Sequence, residues 1–139
     1  MNPVERELAA ISERALNIYQ GVLFEDSIRL LAGQKEQADP DWLAARVENM
    51  LLSNNTALAR MQALYKKADT LLEQYRRLPE ADPLKLTCFE MSGLLTVKRQ
   101  AEQLEENGKR FTQLLKAIRE AKKQRGSVSL AQLMKRISG

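Results

Sequence analysis

The sequence predicts an all-α fold: an antiparallel bundle of long helices with heptad-like seams, closed by a short amphipathic helix. Three observations carry that expectation. The 139 residues hold only six Gly, four Pro and seven aromatics, and are dominated by Leu, Ala, Glu, Gln, Lys and Arg, which lose little rotamer freedom in a helix. Asn2-Pro3, Asp39-Pro40 and Asp82-Pro83 repeat one start signal, a capping side chain followed by proline at the first helical position. Apolar residues then recur at spacings of three and four over long stretches, a helical period and not a strand one.

The first helix is expected from Pro3 to about Ala32, with Gly33 as a left-handed C-terminal residue. Its seam is Val4, Leu8, Ile11, Ala15, Ile18 and Val22, and Glu5 stands where it can return a capping-box bond to Asn2. Beyond Val22 the seam blurs, with Gly21 ahead of Leu23-Phe24-Glu25-Asp26, so a kink or a second contact face is possible there. A polar loop, Gly33 to Ala38, follows.

The second helix is expected from Pro40 to Leu78, a rod of roughly 58 Å at the helical rise. Val47, Leu51, Asn54, Leu58, Met61, Tyr65, Ala68, Leu72 and Tyr75 form its seam, which assigns Tyr65 and Tyr75 to the core. Asn54 is the one strongly polar member. It either fixes register as a buried polar residue or marks, with Ser53, Asn55 and Thr56, a local irregularity. Trp42 serves as a staple at the helix start or as a contact residue.

The third helix begins at Pro83 with a seam of Leu84, Cys88, Met91 and Leu95. The phase then shifts to Leu94, Val97, Ala101, Leu104, Phe111, Leu115 and Ile118, which resembles a stutter that moves the buried face. Cys88, the single cysteine, reads as a small buried hydrophobe and points to a reducing compartment. Asn107-Gly108 is either a turn, giving four helices in the bundle, or a close-packing point in a continuous helix, giving three. Lys122, Lys123, Arg125 and Gly126 suit a helix end near Arg125. Residues 1–125 therefore form the bundle, and 126–139 a flexible joint and basic tail. In that tail Ser129 caps a two-turn helix carrying Leu130, Leu133, Met134 and Ile137 on one face, with Lys135 and Arg136 between them. A helix so short must dock to be stable.

Charge is divided along the chain. From Lys109 onward nine Lys/Arg face one acid, formally +8, whereas thirteen Lys/Arg face seventeen acids before it, formally −4. Lys116, Arg119, Lys122, Lys123 and Arg125 can meet phosphates, an acidic protein, or the chain's own acids. In an antiparallel bundle this basic end falls near Asp39 and Asp41. Phe111 is the only aromatic after residue 108, so base stacking is not signalled.

Catalytic chemistry has little to work with. There is no histidine, no phosphate loop and no nucleophile elbow, so no enzyme activity, cofactor or metal is expected. The longest uncharged run, Asn49–Ala59, is 11 residues, about half a membrane span. No secretory signal is visible at the N-terminus, and the expected location is cytoplasmic.

These features imply an adaptor, chaperone or assembly subunit. It binds a protein partner through an apolar bundle face and the tail residues Leu130, Leu133, Met134, Lys135, Arg136 and Ile137. Long seams on few helices also suggest self-association. The alternative is a nucleic-acid accessory protein using the basic end.

Overall fold

A computed structural model describes residues 2–19, 24–124 and 126–138. The fold is all-α, as the periodicity implies. The helices are α1 (Pro3–Tyr19), α2 (Phe24–Gln34), α3 (Pro40–Arg76), α4 (Pro83–Phe89), a π-helical stretch (Glu90–Leu95), α5 (Thr96–Lys122) and α6 (Leu130–Ser138). They form two compact units. Unit one comprises Met1–Gly21 and Ala57–Leu104, and unit two comprises Val22–Thr56 and Glu105–Gly139, so α3 and α5 contribute to both.

All three Asx-Pro starts are used. Asn2 Oδ1 accepts from the Glu5 amide at 2.9 Å, Asp39 Oδ2 from the Trp42 amide at 3.1 Å, and Asp82 Oδ1 from the Leu84 amide at 2.9 Å. Each satisfies a donor that a helix start leaves without an intrahelical partner. The expected glycine ends are not used. Gly33 lies inside α2, and no described residue has the positive φ of a left-handed cap. The α5 end instead tightens, with the Lys123 and Gln124 amides bonded three residues back to Glu120 and Ala121.

The single first helix expected from Pro3 to Ala32 is described as two, α1 and α2, on either side of residues 20–23. Gly21, Val22 and Leu23 lie outside the described residues. The rest of the seam behaves as read, with Leu8, Ile11 and Ala15 buried. Glu5 departs from its capping-box role. Its side chain is buried and its carboxylate lies 3.6 Å from Lys85 Nζ, tying α1 to α4 within unit one.

In unit one the α3 residues Met61, Ala68, Leu72 and Tyr75 are fully or almost fully buried. The Tyr75 ring meets Phe89 edge-on at 5.7 Å, and its hydroxyl accepts from the Asp82 amide at 3.0 Å. That one side chain thus fastens the α3–α4 turn.

In unit two α3 and α5 run antiparallel, because Asp41 meets Lys122, Glu48 meets Arg119 and Asn54 meets Gly108. The core gathers Phe24, Ile28 and Leu31 of α2, Leu43 and Val47 of α3, and Phe111, Leu114 and Ile118 of α5. Phe24 and Phe111 meet edge-on at 4.7 Å, a favourable aromatic geometry. Helix α5 continues through Asn107-Gly108, so this pair is a packing point and not a turn. A Cβ on Gly108 would stand 3.2 Å from Asn54 Nδ2, and the missing side chain is what lets the buried Asn54 approach. Helix α3 also continues through Ser53–Thr56.

Candidate protein-docking surface

The phase shift foreseen in the third helix is real, but its first half is inverted. Leu84, Cys88, Met91 and Leu95 were expected inside. They lie outside, with Leu84 75%, Met91 62% and Leu95 38% exposed, and Cys88 exposed as well. The face turned to unit one instead carries Phe89, Gly93 and Val97, with Gly93 closing on Ile11 at 3.6 Å from its notional Cβ. Two apolar rows are interleaved in Leu84–Val97, and the π stretch is where the buried row changes phase to join Val97 and Leu104. Sequence spacing sees both rows and cannot tell which one the chain covers.

The exposed row has a defined chemistry. Its members step four, three and four residues along the helix, the period of a seam that another helix would cover. The hydroxyls beside it are already bonded to the helix's own carbonyls. Thr87 donates to Pro83 O at 3.1 Å, Ser92 to Cys88 O at 2.7 Å, and Thr96 to Met91 O at 3.2 Å. Covering the row would therefore strip no unsatisfied hydroxyl donor from water. Around it, Arg76 bonds Glu73 and Glu90, which holds the neighbouring surface charge within unit one.

The basic end of α5 is partly answered by acids of its own unit. Lys122 Nζ lies 2.6 Å from Asp41 Oδ1, Arg119 3.0 Å from Glu48, and Arg110 3.4 Å from Glu25. The Asp41 carboxylate, by hydrogen bond and charge, holds the Lys122 ammonium above its ordinary pKa. This is the neighbourhood that an antiparallel reading of the sequence places there. Lys116 and Lys123 are exposed, and Arg125 lies outside the described residues. Trp42 is half-buried between two cations, with Lys35 Nζ 4.6 Å and Arg46 Cζ 5.2 Å from its ring.

The tail meets its own unit. Leu130 and Leu133 are buried in the unit-two core, and Met134 and Ile137 pack half-buried against it. The joint ahead of α6 is fastened: Val128 and Ala38 exchange both backbone bonds at 2.8 Å, and both side chains are buried. Ser129 stands at the N-cap of α6 as expected: its Oγ accepts from the Gln132 amide at 3.5 Å, and its carbonyl takes the first helical bond, from the Leu133 amide at 3.1 Å. Of the six tail residues read as partner-binding, Lys135 and Arg136 alone are exposed.

The depression between Ala121, Val128, Gln132 and Arg136 has a volume of about 20 Å³, room for roughly one water. Among the described residues no group of three or more Cys, Asp or Glu could hold a metal ion, and no helix is long and apolar enough to cross a membrane. Compared with protein-family models, with curated proteins and with solved structures, the chain finds no match.

Proposed function

We propose that the protein is a non-enzymatic helical adaptor, chaperone or assembly subunit that docks another polypeptide helix. The observation that carries this reading is the apolar row Leu84, Cys88, Met91 and Leu95, held in solvent on a helix whose opposite face is occupied. Scattered surface leucines are ordinary. A row at helical spacing is the pattern that a partner helix buries. The tail takes a lesser part than its sequence implies. Its leucines serve the unit-two core, so what it offers a partner is the exposed basic pair Lys135 and Arg136.

The test is affinity capture with the full chain and with the Leu84→Lys, Met91→Lys double variant. Both positions are exposed, so far-UV circular dichroism should be unchanged while capture is lost. Equal capture by the two chains would contradict the reading. Nucleic-acid binding is the second reading, favoured by the exposure of Lys116 and Lys123. It is weakened by the ion pairs that engage Arg110, Arg119 and Lys122. Nucleic-acid binding would appear as a low-salt gel shift that fades steeply as salt rises.

A further inference from the structure

Resting on the docking role of the exposed row, we infer that its occupant is a second copy of this chain, paired antiparallel through the same row. The argument is self-complementarity. Setting Leu84 against Leu95 of the copy brings Cys88 against Met91, and the same two matches recur across the two-fold axis. An isologous interface requires that reciprocity.

Charge points to the same orientation. The N-terminal end of the row is flanked by the exposed acids Glu80 and Asp82, and the C-terminal end by the exposed cations Lys98 and Arg99. Antiparallel pairing sets the acidic end of one copy against the basic end of the other, whereas parallel pairing sets like against like. Lys85, beside the row, is engaged by Glu5 at 3.6 Å. Thr87, Ser92 and Thr96, which would be covered with the row, donate to their own helix carbonyls. A contact of about three helical turns is at the small end of specific interfaces, so the expected dissociation constant is micromolar.

Sedimentation equilibrium across the micromolar range tests this, read together with cross-linking by a short bis-maleimide. Cys88 is the only cysteine, so every cross-link reports on this row. The full chain should sediment as a monomer–dimer mixture and give a dimer whose yield rises with concentration. Met91→Glu should abolish both, with circular dichroism unchanged. Arg99→Glu should weaken association, and adding Glu80→Arg to it should restore it, because the swap preserves antiparallel pairing alone. A chain monomeric throughout, a dimer indifferent to Met91→Glu, or a double swap that fails to restore association would each overturn the inference. If the monomeric chain still captures another protein and Met91→Glu abolishes that capture, the second-copy assignment falls and the docking role of the row stands. If Met91→Glu changes neither association nor capture, both fall.

Discussion

Unit two sets its opposite properties against each other, while unit one leaves one of them open. In unit two Arg110, Arg119 and Lys122 of α5 meet acids of α2 and α3, the tail's leucines enter the core, and the two connecting segments are joined at Ala38 and Val128. In unit one, Arg76 and Lys85 are likewise engaged, yet a row of large apolar side chains stays in water on α4 and the π stretch. The contrast separates two signals that look alike in a sequence. A concentration of one charge suggests a partner, but a folded chain can answer it with its own acids. A helical apolar row suggests a core, but a helix that carries two rows can bury only one of them here.

The sharpest way to break the comparison is to truncate one aromatic of unit two and one thioether of unit one. Phe111→Ala removes a ring that is 1% exposed and meets Phe24 edge-on, and should cost about 3–5 kcal/mol in urea unfolding. Met91→Ala should stay within about 0.5 kcal/mol of the parent. Equal losses would mean that the row is core after all. Next comes the tail. Leu133→Ala should cost about 2–5 kcal/mol, because that side chain is 4% exposed inside the unit-two core. A change confined to partner capture would return the tail to the role its sequence suggests. Removing a cap is a smaller perturbation: Asp39→Ala, which frees the Trp42 amide, should cost about 1 kcal/mol by the same measurement.

The smallest effect belongs to the Asp41–Lys122 pair. Both side chains are more than half exposed, so Asp41→Asn should leave the urea midpoint unchanged at neutral pH. The sign of its pH dependence is still defined. Lys122 is held above its ordinary pKa in the folded chain, so the folded state retains that proton more tightly than the unfolded one. The contribution is therefore constant below the ordinary lysine value of about 10.4 and disappears as pH rises through the folded value. An NMR titration of the Lys122 side chain should show its midpoint fall on Asp41→Asn.

Much of this was legible in the residues. The three Asx-Pro caps were, because capping is local chemistry between neighbours. The α3 seam was as well, since every member from Val47 to Tyr75 is buried or half-buried. Even the approach of α5's basic end to Asp41 followed from antiparallel topology. The face of α4 was not legible, because Leu84–Val97 is apolar on both sides and tertiary contact chooses between them. Nor was the fate of the tail. Amphipathicity shows that Leu130 and Leu133 need cover, and it does not say whose. The Ala38–Val128 pairing joins residues 90 positions apart by backbone groups alone, so no side-chain pattern announces it.

Cys88 stands at the centre of the account, since sequence spacing puts it in the core and the structure puts it on the open row. The rate at which this single thiol reacts with a disulfide reagent, in dilute native protein and in urea, decides between them. Exposure on the row is expected to give native and unfolded rates of the same order, with protection growing only as concentration rises. A native thiol slowed by orders of magnitude at every concentration would contradict the exposed row and the docking surface built on it.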